Sequence, residues 1–204
     1  QPLAFSYPGF VYGAALSWSF ATNADVDLSD ALTTFAFGDR ANVMGKLAFD
    51  LGNTYKEPGV IVFNGNFLQW IYTVPLEQMR TRWHRSLAGN SNEILQSNSL
   101  LLENLYGTIE YVDNVMQPLD SAQIDRPDAD LIKREYQQAA RMLKHGAKRA
   151  LLQIDANAVD KAELRAEIDA IIEEQQALWL SRNRPGGLDD SLEALYKARE
   201  LYAE

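Results

Sequence analysis

The chain has no cysteine. Disulfides, thiolate metal sites and a cysteine nucleophile are therefore excluded. The same absence fits a reducing compartment, so a cytoplasmic setting is favoured. Basic residues are also few: 19 Lys and Arg against 28 Asp and Glu leave a net charge of −9. A nucleic-acid binder needs a basic face to neutralise phosphates, so no nucleic-acid partner is expected. Anionic membrane surfaces are disfavoured for the same reason. No apolar run reaches the roughly 20 residues of a membrane span, so no membrane partner is expected. The opening apolar stretch lacks a basic leading region and does not read as a secretion signal. There are only two histidines, His84 and His145. They are far apart in sequence, and neither has a His or an acid at metal-ligand spacing, so no metal and no cofactor are expected.

What is present is enough to build a core. Hydrophobic residues make up 47% of the 204 positions and aromatics 10%, ordinary values for a globular chain of one domain or a little more. The most telling stretch is Tyr7-Pro8-Gly9-Phe10-Val11-Tyr12-Gly13-Ala14-Ala15-Leu16-Ser17-Trp18. It is apolar almost all the way round a helix, and such a helix needs burial on several sides. Nothing before it in the chain can bury it, so the chain is expected to be the tail of something larger, with catalytic groups upstream of Gln1.

The fold class expected is all-α. The first half is irregular and Gly-rich. Asn23 to Asp27 is turn-like, and Asp27 or Ser29 could cap a short helix through Phe37. Gly38-Asp39 breaks it. Ala41 to Tyr55 reads as another helix, with Val43, Leu47, Leu51 and Tyr55 every fourth residue. Lys56 to Gly65 reads as a loop, in which Val60-Ile61-Val62-Phe63 is either one short strand or packed loop. Phe67 to Arg85 reads as two short helices broken near Pro75.

The second half reads as long helices. Asn90-Ser91-Asn92-Glu93 resembles a capping box. Leu101, Leu105, Ile109, Val112 and Met116 mark one stripe, ended by Pro118. A helix starting near Asp125-Arg126-Pro127 carries Ile132, Tyr136, Ala139, Leu143, Ala147, Ala150 and Ile154. A third follows Asp160 and carries Leu164, Ile168, Ile171, Gln175 and Leu178. Arg184-Pro185-Gly186-Gly187 is a hard stop. A last helix runs from about Asp189 to Tyr202, with Leu192, Leu195 and Tyr196 inward. Helices of about 25 residues span roughly 37 Å, and short links favour antiparallel neighbours. The expected organisation is therefore 1–22 as an opening loop and helix, 23–89 as an irregular helical connector, and 90–204 as an antiparallel helical bundle.

No catalytic constellation emerges. The acid pairs Asp25/Asp27, Asp128/Asp130 and Asp189/Asp190 lie near helix starts, where acids complement the dipole. Glu173/Glu174 are adjacent on a helix and point about 100° apart. His84 sits in the basic, aromatic run Arg80-Thr81-Arg82-Trp83-His84-Arg85, which could hold an anionic or sugar ligand but reads better as a helix face paired with acids. His145 precedes Gly146 in a helical stripe and is expected either exposed or at a helix–helix contact. Arg184 to Gly187 is not a phosphate loop, because no strand precedes it and no Lys-Ser/Thr follows. Trp70 and Trp83 are the candidate sugar-stacking platforms, set against the commoner role of aromatics as core.

Two stretches resemble one family. Tyr7 to Trp18 is similar to the last barrel helix of family 20 glycoside hydrolases, the β-N-acetylhexosaminidases, above all a bacterial subgroup with a helical C-terminal extension. Leu178-Trp179-Leu180-Ser181-Arg182-Asn183-Arg184-Pro185-Gly186-Gly187-Leu188-Asp189-Asp190-Ser191 resembles the end of that extension. Gly9 stands where the better-known hexosaminidases carry Arg. The resemblance implies that residues 1–22 are the last loop and helix of a truncated (β/α)8 barrel. It implies a parent enzyme acting on a carbohydrate through the substrate's own acetamido group, outside the usual two-carboxylate scheme. The catalytic Asp-Glu pair would lie upstream, and this chain would be structural and not catalytic alone. Barrel active sites form where strands end, which would put Gln1 and Tyr7 near the rim. The expected partner is the parent's catalytic barrel or a second copy of the chain, packing on Val11, Ala14, Ala15 and Trp18. Two other readings compete: a stand-alone helical interaction or oligomerisation module, and a carbohydrate-binding module using Trp70 to Trp83.

Overall fold

Capping side chains set several helix starts in a computed structural model that describes residues 3–60, 65–79 and 98–202. The helices are α1 (Tyr7–Trp18), α2 (Phe20–Asn23), α3 (Leu28–Ala31), α4 (Met44–Asn53), α5 (Phe67–Trp70), α6 (Asn98–Met116), α7 (Ala129–Ile154), α8 (Lys161–Arg182) and α9 (Leu188–Glu200). A further helical stretch at 76–79 follows Pro75. The all-α class is as expected: among the described residues no strand forms, and Asp39 and Ile124 make an isolated bridge. Asp27 accepts the N–H of Asp30 at 3.0 Å and Asp160 that of Ala162 at 2.7 Å. Each satisfies an N–H left without a partner by the first turn. The short strand considered at Val60 to Phe63, the second helix out to Arg85 and the capping box at Asn90 reach outside the described residues.

The chain forms two compact units, Gln1–Asn53 with Asp113–Gln137 and Thr54–Val112 with Gln138–Glu204. In the first unit, Phe37 has its ring edge-on to Tyr7 at 5.6 Å and to Tyr136 at 6.0 Å, and Phe5 lies 4.8 Å from Tyr136. A π-helical turn over Leu32–Phe37 follows α3 and ends at Gly38, whose φ of 57° is left-handed, a conformation glycine adopts without a Cβ penalty. The next residue organises the turn. The buried carboxylate of Asp39 accepts N–H bonds from Gln123 at 2.6 Å, Val43 at 2.7 Å, Met44 at 2.8 Å and Ala41 at 3.2 Å. Burial opposes its charge, but these four donors outweigh burial and hold the carboxyl below its ordinary range. Asn42 is left-handed at φ 57°, so α4 starts at Met44 rather than Ala41, and Asp39 caps it through the N–H groups of Val43 and Met44. Its buried face is Met44, Leu47, Ala48 and Leu51, and Tyr55 is exposed in the turn that follows.

In the second unit, partner numbers run in opposite directions along neighbouring helices. Gln138 of α7 donates to the carbonyl of Ile171 of α8 at 2.8 Å, while His145, two turns later, meets Glu167. On α8 and α9, Arg165 pairs with Arg199 and Gln176 with Tyr196. Both pairs of helices are antiparallel, as the short links require. The stop between α8 and α9 forms as expected. Trp179 donates its indole N–H to the carbonyl of Arg184 at 3.0 Å, and Gly187 turns left-handed at φ 81° against the indole ring. One inward assignment is corrected. Tyr196 is exposed, and α9 buries Leu192, Leu195 and Ala198, with Tyr202 just beyond it. These four lie three and four residues apart, on one face of the helix, which leaves Tyr196 beside that face.

Two predictions follow from close backbone approaches. A Cβ on Gly146 of α7 would meet the carbonyl of Leu68, whereas one on Gly107 of α6 would meet nothing within 4 Å. Gly146→Ala is expected to cost about 1–3 kcal/mol by overpacking, and Gly107→Ala to gain about 0.5–1 kcal/mol from helix propensity. Urea unfolding of the two variants checks the opposite signs. Asp39→Asn is expected to cost about 1.5–3 kcal/mol at pH 7, the worth of charged hydrogen bonds lost. The native carboxyl titrates below its unfolded value, so its contribution is full above that value and lost as pH falls through the folded one. The stability difference between wild type and variant should therefore shrink as pH falls below the ordinary aspartate range.

Candidate functional site

The side chains singled out from the sequence do not gather in one place. Gln1 and Trp83 lie outside the described residues. Tyr7 is 9% exposed, packed on Phe37, with the Arg126 guanidinium 5.5 Å from its ring centre. Trp70 is half-buried against the core of the second unit. Among the described residues, no group of three or more His and carboxylate side chains gathers as metal ligands would, and no helix is long and apolar enough to cross a membrane.

Two other features stand out. The first is the surface of α1. Its range matches the apolar stretch read from the sequence, yet Tyr7 is its one buried residue. Trp18 is 89% exposed, Phe20 just beyond it 71% and Phe10 62%. Ala14 is exposed, while Val11 and Ala15 are half-buried. At Gly9 and Gly13 there is open space where a Cβ would stand. The helix is held from its far end: Asn23 donates to the carbonyl of Ala15 at 2.9 Å and Tyr12 to that of Ala24 at 3.2 Å. Large aromatics left in water on one short helix are the usual mark of a surface that pairs with something else.

The second feature is a buried polar cluster on α7. The His145 side chain is 0% exposed, and both of its ring nitrogens have partners. Nδ1 lies 2.8 Å from Glu167 of α8, and Nε2 lies 3.0 Å from the hydroxyl of Tyr202. A carboxylate can only accept, so Nδ1 carries the proton and Nε2 accepts from Tyr202. Glu167 also accepts from Lys148 at 2.9 Å. The guanidinium of Arg149 lies 5.3 Å from the centre of the Tyr202 ring, and its Nε donates to the carbonyl of Ile71 at 2.6 Å. Tyr72 closes the remaining side, 5.5 Å ring to ring from His145, and donates to the carbonyl of Met142 at 2.8 Å.

The electrostatics follow from burial. Loss of water disfavours the imidazolium and pulls His145 below its ordinary pKa; Glu167 works the other way, and Arg149 and Lys148 reinforce the drop. Burial raises Glu167, but the bonds from His145 and Lys148 outweigh it and hold the carboxyl low. Burial pushes the Tyr72 and Tyr202 hydroxyls up. At neutral pH the cluster is thus a neutral His between a carboxylate and a phenol. With both nitrogens engaged and no exposed edge, the imidazole is closed to an outside substrate. The cluster ties α7, α8 and the turn after α9 together.

The sequence placed His145 at a helix–helix contact as one of two options, and that option holds. It did not single out Glu167, Arg149 or Tyr202. A signal was present: Gln138, His145 and Arg149 are seven and four residues apart, the spacing of one helix face, and Glu135 is buried on the same helix. Polar residues on that spacing mark an interior network rather than a solvated side. His145→Phe keeps an aromatic ring at the site but leaves Glu167 and the Tyr202 hydroxyl short of a partner. It is expected to cost about 1–3 kcal/mol, read as a lower urea midpoint at unchanged slope.

No family model, curated protein or solved structure matches this chain.

Proposed function

We propose that this chain is the structural, non-catalytic helical portion of a glycoside hydrolase resembling the β-N-acetylhexosaminidases, and that α1 seats it on the barrel of that enzyme. The observation that carries the reading is the apolar surface of α1, open in this chain at Phe10, Ala14 and Trp18. Covering Phe10 and Trp18 contributes about 1.5–3 kcal/mol each, so a partner that buries both gains enough to hold the portion in place. Gly9 and Gly13 leave room for a close backbone approach on the same helix. The likeness of Tyr7 to Trp18 to a barrel's last helix supplies the kind of body, and the closed His145 cluster agrees with a portion that does no chemistry itself.

Two measurements test the reading. With p-nitrophenyl N-acetyl-β-glucosaminide the 204-residue chain is expected to give no turnover, and clear hydrolysis overturns the non-catalytic role. Hydroxyl-radical footprinting compares that chain with the product of the complete reading frame. Phe10, Trp18 and Phe20 should be protected several-fold in the complete protein, and that protein should cleave the probe. Equal labelling overturns the docking. Protection without hydrolysis keeps the docking and overturns the hydrolase. A second copy of the chain is the other occupant for the same face, and a dimer in sedimentation that Trp18→Asp dissolves selects it.

A further inference from the structure

We infer that the second unit carries an acid-released latch, in which proton uptake by His145 frees Tyr202 and the turn that follows α9. The geometry comes from three helices. His145 on α7 holds Glu167 on α8 with one nitrogen and the Tyr202 hydroxyl with the other. The Tyr202 bond is the one that a second ring proton disturbs. In the neutral ring Nε2 offers a lone pair and the phenol donates to it. Protonation puts a hydrogen on Nε2, so the phenol must turn and accept, and its own proton then points into a buried space. The Glu167 bond survives the same event, because Nδ1 donates before and after and gains charge assistance.

The neighbours decide which bond yields. Among the described residues, the charged and titratable groups facing His145 are Lys148 and Arg149 from α7, Glu167 from α8, Tyr202 from beyond α9 and Tyr72 from the turn after α5. An imidazolium brings a third positive charge to a site with one carboxylate. Arg149 is fixed by its bond to the carbonyl of Ile71, and Lys148 by its bond to Glu167. Tyr202 lies in the short turn beyond α9, whose backbone is held by the bonds of Leu201 to Ala198 and Tyr202 to Arg199, and its hydroxyl also meets Arg149. Leaving opens the site to water, which solvates the new charge. The sign is that of a histidine whose folded pKa is lowered. The latch is fully closed above the ordinary histidine value of 6.5 and is lost as pH falls through the lower folded value.

Two histidines make the test clean. A 13C-histidine spectrum has two imidazole resonances, and His145→Gln assigns them by removing one. Amide exchange, corrected for the chemical rate, is followed at residues 198–202 and at 164–178 between pH 7.5 and 4.5. The expected result is at least a tenfold loss of protection at 198–202 while 164–178 stays protected. Its midpoint should coincide with the His145 titration. His145→Gln, which keeps a neutral hydrogen-bonding side chain, should remove the pH dependence. Tyr202→Phe, which keeps the ring, should open the turn at every pH. The latch is overturned if protection is lost equally in both segments, if the opening midpoint departs from that of His145, or if His145→Gln opens with the same pH profile.

Discussion

The second unit depends on polar side chains that point inward from α7. An apolar stripe alone would let neighbouring helices slide, because Leu, Ile and Ala make similar contacts at several registers. Gln138, His145 and Arg149 remove that freedom. They reach fixed atoms on other elements: Gln138 the carbonyl of Ile171, His145 the Glu167 carboxylate and the Tyr202 hydroxyl, and Arg149 the carbonyl of Ile71. A shift of one turn would bury all three without partners, at about 1–3 kcal/mol each. The contact at Gly146 has the same effect from the steric side, since the carbonyl of Leu68 fits where no Cβ stands. Register here comes from hydrogen bonds and a missing methyl group, with apolar burial supplying the bulk of the drive.

The first unit solves a related problem without long helices. Its segments are short, and short helices are marginal without tertiary support. Asp39 provides that support by gathering N–H groups from Ala41, Val43, Met44 and Gln123. One carboxylate thereby caps α4 and holds a segment 84 residues away in sequence. Arg126 does the complementary work with carbonyls and rings, donating to the carbonyl of Ala36 and lying over Tyr7. A charged group with several fixed dipoles around it is worth more than a surface ion pair, because the dipoles are already oriented and salt screens them little.

The helices were legible in the sequence wherever a cap or a breaker stood next to a 3.6-residue stripe. Asp160, Gly187 and the stripe from Leu164 to Leu178 each do in the structure what their types suggest. Legibility failed where one side chain acts over a long span. The start of α4 moved from Ala41 to Met44 because Asn42 turns left-handed and Asp39 caps the helix only beyond it, and a local window cannot weigh that. Tyr196 was read as inward together with Leu192 and Leu195, while the true seam follows the spacing Leu192, Leu195, Ala198 and Tyr202. The His145 cluster was half visible: the spacing on α7 was there, but its partners sit 22 and 57 residues further on. Sequence periodicity reports which face of a helix turns inward and says nothing of what it meets.

The two functional features draw on different physics, and that separates their behaviour. The α1 surface is apolar and carries no titratable side chain apart from its tyrosines, so its affinity for a partner should vary little with pH and weaken on cooling, as apolar burial does. The His145 latch is electrostatic and local to the second unit, and its energy resides in one proton. Coupling between the two would need a two-state element that both features bias.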